Sequence, residues 1–236
     1  MKPVCIIPAR GNSKRLPSKN IIELDKKPII LHTINAAIES KCFSQIIISS
    51  ECKKILKIVK NNNKLIETDL RPKKLSADKA TVADVCYELL NRKRNESKFT
   101  DDFCILTATS ALRNQIHIRE SFKKFKDNNF DILVSVNDFF FYPQRALKKK
   151  KKGCVFFFKK LCNLEKDKLP HFFVENGAIT WVKIKKFLRN KKLFSNNTGY
   201  YKMSKVRSID IDTIEDFFVL ESIYNSLKKK KLLNKK

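Results

Sequence analysis

Apolar runs alternate with segments of helical periodicity along most of this chain. The runs predict strands at residues 4–7, 45–49, 67–70, 102–107, 131–136, 176–182 and 208–212. Apolar residues three and four positions apart predict helices at residues 28–40, 51–61, 79–93, 115–126 and 213–227. Strands and helices that alternate at these lengths predict an α/β fold, with a doubly wound and mostly parallel sheet covered on both faces.

The alternation breaks at residues 138–175, which contain many aromatic residues, a lysine-rich turn and no helix of usable length. This pattern predicts a small β excursion outside the main sheet. The chain then divides into an α/β domain formed by residues 1–137 and 176–236, and the excursion between them. Because exposed aromatic strands usually pack against a partner, we expect the excursion to form a homodimer contact.

The first predicted strand leads into a polar loop at residues 8–20. The loop contains one glycine, Gly11, and four cations, Arg10, Lys14, Arg15 and Lys19, with Ser13 among them. Open α/β sheets place their ligands at the carboxyl ends of their strands, and cations beside free backbone N–H groups suit a polyphosphate. The loop therefore predicts a nucleoside triphosphate site.

Two carboxylates, Asp210 and Asp212, lie two positions apart in the last predicted strand. Residues with this spacing point to the same face of a strand, where a carboxylate pair and substrate phosphates could hold Mg²⁺. The alternative is an exposed strand end beside the start of a helix.

The net charge of +27 reflects 51 Lys and Arg against 24 Asp and Glu. Lysine is spread over the whole chain, so we expect solvated surfaces and no specific nucleic acid partner, although nucleic acid binding is the alternative. The seven cysteines form no C-x-x-C pair, and their number is odd, which favours reduced thiols. Without an apolar stretch of membrane-spanning length, we expect no membrane partner and a cytoplasmic protein.

The loop at residues 8–20 resembles the signature of the acylneuraminate cytidylyltransferases, also called CMP-sialic acid synthetases. Further segments resemble this family in the same order: residues 47–50, Leu70-Arg71-Pro72 with Leu75, Asp78, Ala80 and Thr81, and residues 107–113, 176–179 and 209–213. The resemblance extends over nearly the whole chain, and several motifs at compatible spacing are more specific than any one of them.

This resemblance implies a nucleotide-diphospho-sugar transferase fold of the Rossmann-like type. It implies that CTP reacts with a nonulosonic acid to give a CMP-sugar and pyrophosphate, with Mg²⁺ held by Asp210 and Asp212. Catalytic roles fall to Arg10, Lys19 and Asp212. Binding roles for the nucleotide or sugar are implied for Arg10, Ser13, Lys14, Lys19, Asn20, Arg71, Thr81, Thr107, Thr109, Arg113, Arg145, Lys166, Asn176 and Gly177.

The motifs favour pseudaminic acid or a related nonulosonic acid, with N-acetylneuraminic acid as the other candidate. Ser13-Lys14-Arg15 and residues 142–147 resemble CMP-pseudaminic acid synthetases, whereas residues 32–38 and 112–120 resemble the neuraminate enzymes. Two departures concern carboxylate recognition. Lys166 stands where that branch has a sugar-facing arginine, and residues 174–177 read Val-Glu-Asn-Gly instead of Arg-Pro-Asn-Gly. Because lysine lacks the bidentate fork of arginine, we expect Arg145 or Arg113 to compensate.

Two alternatives remain at this point. One is a cytidylyltransferase for 3-deoxy-octulosonate, whose first loop is similar. The other is a non-catalytic, basic nucleotide- or RNA-binding protein of the same fold.

Overall fold

The computed structural model describes residues 2–60, 63–76, 80–93 and 101–235. The strands in chain order are β1 (Val4–Pro8), β2 (Glu23–Leu24), β3 (Lys27–Pro28), β4 (Gln45–Ser50), β5 (Ile66–Leu70), β6 (Asp102–Leu106), β7 (Ile132–Asp138), β8 (Leu147–Lys149), β9 (Cys154–Phe156), β10 (Phe173–Lys183) and β11 (Thr198–Lys202). The α-helices are α1 (Ile29–Ser40), α2 (Lys53–Val59), α3 (Val82–Lys93), α4 (Gln115–Asp127), α5 (Ile184–Asn190) and α6 (Ile214–Lys229).

Seven strands form the central sheet, in the order β11-β7-β10-β6-β1-β4-β5. β1 pairs in parallel with β4 and β6, while β4–β5 and β7–β11 are also parallel pairs. Only β10 runs antiparallel to its neighbours β6 and β7 within this described sheet. The predicted α/β fold with a mostly parallel sheet is confirmed.

Strand β1 shows why both faces of the sheet are covered. Val4 and Ile6 pack with residues of α3 and α5, whereas Cys5 and Ile7 pack with residues of α1, α2 and α4. All four side chains are fully buried. Because successive residues of a strand point to opposite faces, a continuous apolar run is what a sheet between two helical layers requires. The doubly wound arrangement is therefore confirmed.

The prediction of a strand at residues 208–212 is wrong. The chain instead forms a 3₁₀ turn at Lys205–Ser208 and then continues without regular structure to the start of α6. The Ser204 hydroxyl accepts a hydrogen bond from the backbone N–H of Arg207 and stabilises this turn. The alternating pattern arises because Ile211 is buried in a cluster with Leu16 and Leu112, not because a sheet neighbour is present.

Helix α5 and strand β11 were not predicted. Helix α5 is only seven residues long and rich in lysine, so it shows little apolar periodicity. Strand β11 pairs with β7 alone and lies at the edge of the sheet. Helix α3 begins at Val82, and the predicted positions Asp78 and Lys79 lie outside the described residues.

The chain leaves the central sheet between the end of β7 and the start of β10. This stretch contains the β8–β9 hairpin, short 3₁₀ turns and several exposed aromatic side chains, including Phe140 (80% exposed) and Phe141 (87% exposed). Its role as a separate dimerisation unit at residues 138–175 stays a prediction. In the described ranges, no helix is long and apolar enough to cross a membrane.

Candidate active site

The loop that follows β1 is anchored on the end of β4. The N–H of Ala9 donates to the Ser49 carbonyl at 3.0 Å, and the N–H of Gly11 donates to Glu51 Oε1 at 2.7 Å. A Cβ on Gly11 would lie 2.5 Å from the Cβ of Cys52, so only glycine fits this close approach. The loop is thereby pinned where two parallel strands end.

Lys19 connects this loop to the segment before α6. Its Nζ donates to Asp212 Oδ1 at 2.9 Å and to the Ile211 carbonyl at 3.0 Å. Arg15 Nη2 lies 2.7 Å from the other carboxylate oxygen of Asp212. These contacts lower the pKa of Asp212 and keep its carboxylate ionised, and the hydrogen bond from Lys19 has the largest effect.

Asp210 faces a third loop, the one that follows β6. Its carboxylate accepts a hydrogen bond from the Thr109 hydroxyl. Although part of the residue is exposed, the protein atoms around the carboxylate desolvate it and raise its pKa. The surroundings of the two aspartates thus shift their pKa values in opposite directions. The first loop and the loop after β6 both meet the segment that carries this pair.

Arg71 lies at the carboxyl end of β5 and is 6% exposed. Its Nη2 donates to the Ser49 carbonyl at 2.6 Å, and its Nη1 lies 3.8 Å from Glu51 Oε2. Burial lowers the pKa of this guanidinium. A buried cation fixed in this way is preorganised to meet an anionic ligand.

A cavity of about 530 Å³ opens between these loops at the carboxyl ends of the parallel strands. Polar lining residues are Arg10, Lys19, Asn20, Arg71, Thr81, Thr107, Thr109, Glu175, Gly177 and Thr180, and Val82, Val85 and Leu193 line it with apolar atoms. An adjoining cavity of about 210 Å³ is lined mainly by cations and Asp212. A polar cleft at this edge of an α/β sheet is the usual position of a nucleotide.

Ser13 lines the cation-rich cavity and is 7% exposed. Within the described structure its Oγ is buried without a hydrogen-bond partner. A buried hydroxyl lacking a partner is costly, and a phosphate oxygen in this cavity would satisfy it.

A bulge in β10 shapes the opposite wall of the main cavity. The pairing of β10 with β7 shifts between Glu175 and Thr180. Gly177 lies in this bulge with φ +67°, and its carbonyl accepts from Thr107 Oγ1 at 2.5 Å. Bulges of this kind redirect side chains beside binding sites, and the positive φ favours glycine.

The sequence also matches the family model described as "Cytidylyltransferase" over residues 4–235. The chain belongs to the cytidylyltransferase family. It is 34% identical to the N-acylneuraminate cytidylyltransferase of Streptococcus agalactiae, over 92% of this chain and 52% of that protein. The chain thus spans about half the length of that relative.

Two further proteins resemble this chain, one in sequence and one in fold. The pseudaminic acid cytidylyltransferase of Campylobacter jejuni is 29% identical over 95% of this chain and 97% of the relative. A solved CMP:2-keto-3-deoxy-manno-octonic acid synthetase, complexed with CTP, superposes with a TM-score of 0.70 at 12% identity. That match covers 96% of this chain and 99% of the solved one, and at this identity it shows the fold alone.

Several predicted residues lie elsewhere in the structure. Arg113 is 1% exposed and does not line the main cavity; it donates to the Ala178 carbonyl at 2.6 Å and to Thr33 Oγ1 at 2.9 Å. Burial lowers the pKa of Arg113 to about 10. Its guanidinium braces the loop after β6 against β10 and α1, and a role in binding the nucleotide or sugar stays a prediction.

Asn176, Arg145 and Lys166 also lie outside the cavity lining. The Asn176 side chain accepts from the hydroxyl of Ser135 at 2.6 Å and donates to Asn137 Oδ1 at 2.9 Å, which holds the bulge of β10. Arg145 is exposed in the excursion, and Lys166 Nζ lies 5.9 Å from the ring centroid of Tyr142. Substrate binding by these three residues stays a prediction.

Sequence reasoning missed Glu51, which accepts the Gly11 N–H and faces Arg71. It also missed Glu175, a carboxylate in the cavity lining. The available signal for Glu51 was its place one residue beyond a buried strand that follows β1 in the sequence. Two strands that both end in polar residues would be expected to end at the same edge of a parallel sheet.

The carboxylates of Asp210 and Asp212 fit magnesium in their donor chemistry, because Mg²⁺ prefers oxygen ligands. Among the residues described, no group of three or more His, Cys, Asp or Glu could hold a metal ion. The protein therefore offers a carboxylate pair and not a complete cage. Such a pair suits an ion whose other ligands are water and substrate phosphates.

Proposed function

We propose that this cytidylyltransferase transfers the CMP group of CTP to the anomeric hydroxyl of a nonulosonic acid. The hydroxyl oxygen forms a bond to the α-phosphorus, the bond between the α-phosphorus and the bridging oxygen breaks, and pyrophosphate leaves while the hydroxyl proton is lost. The observation that supports this most is the junction of Lys19 and Arg15 with Asp212 beside a cation-lined cavity.

The cation-lined cavity suits the β- and γ-phosphates of CTP. Arg10, Lys14 and Lys19 line it, and the buried hydroxyl of Ser13 can donate to a phosphate oxygen. Transfer of a nucleotidyl group depends on alignment and on neutralising charge more than on a protein nucleophile. These groups would hold the leaving pyrophosphate where the negative charge develops.

We propose that Asp210 and Asp212 hold Mg²⁺ at the α-phosphate. An ion held there would lower the pKa of the attacking hydroxyl and would neutralise negative charge on the phosphates. Lys19 keeps Asp212 ionised, and the Thr109 hydroxyl orients the carboxylate of Asp210. The positions of both carboxylates thus depend on hydrogen bonds from residues of other loops.

For the sugar, we propose pseudaminic acid or a related nonulosonic acid. The Campylobacter relative is named for pseudaminic acid, and the motif Ser13-Lys14-Arg15 resembles that branch. Glu175 adds a negative charge to the cavity wall, so the carboxylate of the sugar would bind away from it.

We further propose a homodimer in the cytoplasm. The aromatic surface of the excursion, which includes Phe140 and Phe141, is exposed in the single chain and would be covered by a second copy. All seven cysteines, which fall within the described ranges, are free thiols, as a reducing compartment favours.

The deciding experiment measures pyrophosphate release with CTP, Mg²⁺ and a panel of pseudaminic, N-acetylneuraminic, legionaminic and 3-deoxy-octulosonic acids. We expect turnover with a nonulosonic acid and none with the octulosonic acid. Faster turnover of the octulosonic acid would support that alternative. An absence of turnover with the whole panel, together with salt-sensitive RNA binding, would support a non-catalytic role.

The metal role is tested by Asp212→Asn, which keeps the shape of the side chain. We expect kcat to fall at least about 100-fold, because the cation that would neutralise the negative charge of the transition state loses a carboxylate ligand. Asp127→Asn is the matched control, since Asp127 is an exposed residue of α4 paired with Lys123. Activity of Asp212→Asn within a few-fold of the control would contradict the proposed role.

A further inference from the structure

The chain beyond α6 folds back onto the protein. Lys231 adopts a left-handed conformation with φ +54°, and the Leu232 N–H donates to the Leu227 carbonyl at 2.8 Å. The Lys231 N–H donates to the Lys228 carbonyl at 3.0 Å, which completes a Schellman ending. Residues 232–235, which we call the C-terminal strap, are directed back along the helix by this turn.

Two nearly buried side chains bind the strap through its carbonyl groups. Arg207, 4% exposed, donates to the carbonyls of Leu232, Leu233 and Lys235 at 2.5, 3.1 and 2.6 Å. Asn114, 5% exposed, donates from Nδ2 to the carbonyls of Leu233 and Lys235 at 3.1 and 2.8 Å. The same two carbonyls therefore join Arg207 to Asn114.

These two residues belong to the two chain segments that carry Thr109 and the carboxylate pair. Arg207 lies three residues before Asp210, and Asn114 directly follows the loop that carries Thr109. Thr109 and Asp210 are themselves hydrogen-bonded. The loop after β6 and the segment before α6 are therefore joined twice. The Thr109–Asp210 hydrogen bond joins them directly, and the strap joins them through Asn114 and Arg207.

The apolar contacts of the strap also connect it to the loops of the site. Leu233 packs on a cluster that includes Leu16 from the first loop, Leu112 from the loop after β6, and Ile211 between the two aspartates. One side chain of the strap thus packs against an apolar cluster to which all three loops contribute. This shared packing adds to the polar contacts that hold the three loops at a set separation.

We propose that Arg207, Asn114 and the C-terminal strap form a positioning element that fixes the carboxylate pair relative to the loop after β6. Its effect on catalysis rests on the proposed function, whereas its effect on loop order does not. Arg207 and Asn114 bind main-chain carbonyls of the strap. The positioning effect should therefore require the strap backbone but not the side chain of Lys235.

The test compares three variants with the wild type. Deletion of residues 232–236 removes the strap, and Asn114→Ser removes its two hydrogen bonds while retaining a side chain that caps α4. Lys235→Ala is the control, because it keeps the carbonyl. Circular dichroism checks that each variant is folded. If the deletion variant does not fold, the Asn114→Ser variant provides the test.

Hydrogen exchange without substrate is the first readout. We expect amides of residues 107–113 and 209–213 to exchange at least about 10-fold faster in the deletion and Asn114→Ser variants, and unchanged in Lys235→Ala. Unchanged exchange in a folded variant that lacks the strap contacts would overturn the proposal.

Pyrophosphate release is the second readout. We expect kcat to fall about 10-fold and the half-saturating Mg²⁺ concentration to rise, with KM for CTP altered less than twofold. A loss spread equally over all three parameters would indicate general destabilisation and overturn the positioning role. If the wild type turns over no sugar, the proposed function fails, and the exchange result still decides the inference.

Discussion

At the residue scale, the first loop depends on groups that do not belong to it. Glu51 accepts the N–H of Gly11 at 2.7 Å and lies beside the buried guanidinium of Arg71. One carboxylate thus orients both the loop backbone and a cation of the cavity wall. Since the nucleotide is proposed to bind between them, Glu51 acts on CTP binding by positioning other groups.

We expect Glu51→Ala to raise KM for CTP by about 10- to 100-fold. The estimate follows from losing a charge-assisted hydrogen bond of about 1.5–3 kcal/mol. The measurement is steady-state pyrophosphate release at saturating sugar. Glu39→Ala provides the control, since Glu39 is exposed on α1. A KM for CTP within twofold of the control would show that the loop is ordered without Glu51.

At the element scale, the start of α3 is held by a capping arrangement that also reaches α5. Asp84 accepts from the N–H and the hydroxyl of Thr81, both at 2.7 Å, and forms an ion pair with Lys191 at the end of α5. Thr81 lines the main cavity. The cap therefore couples the position of a cavity wall to the packing of two helices on one face of the sheet.

The contact of Asp84 predicts a pH dependence of stability. The hydrogen bond with Lys191, followed by those with Thr81, lowers the pKa of Asp84 below its ordinary value of 3.8. A carboxyl group whose pKa is lower in the folded state stabilises the fold at pH values above its unfolded-state pKa. This stabilisation is lost as the pH falls through the folded-state pKa.

We therefore expect Asp84→Asn to melt at a lower temperature than the wild type at neutral pH. The difference should narrow as the pH is lowered below 3.8. Thermal unfolding followed by circular dichroism across this range is the measurement, with Asp127→Asn as a surface control. A difference in Tm that is the same at every pH would contradict the role given to the ionised carboxylate.

At the scale of the whole molecule, the exposed aromatic surface of the excursion is the feature that a single chain leaves unexplained. Phe140 and Phe141 expose 80% and 87% of their surface, next to a half-exposed Tyr142. Apolar patches of this kind on a soluble protein indicate an interface. The proposed homodimer would bury them.

We expect the wild type to have about twice the chain mass of 27.6 kDa in light scattering coupled to gel filtration. Replacing Phe140 and Phe141 by aspartate should shift the species to the mass of one chain, because burying two carboxylates in an apolar interface is unfavourable. Phe194→Asp is the control, since Phe194 is 64% exposed outside the excursion. A wild type that already has the mass of one chain would contradict the proposed dimer.

The amino-acid sequence alone was enough to predict the α/β fold, most of its strands and helices, and the cation-rich first loop. The physical reason is that these features are local: apolar runs, helical periodicity and a cluster of charges can be seen within a few residues. The alternation in residues 208–212 misled for the same reason, because Ile211 is buried by side-chain packing and not by strand pairing.

Which side chains come into contact depends on the packing of the whole chain and could not be predicted from the sequence. Lys19 reaches Asp212 across 193 positions of sequence, Arg113 turns inward to main-chain carbonyls, and Arg207 binds the strap. Long-range contacts depend on strand order and on how loops fold back, which residue patterns do not encode locally. A motif could therefore indicate the kind of ligand, whereas its partners and geometry followed from the packing of the whole chain.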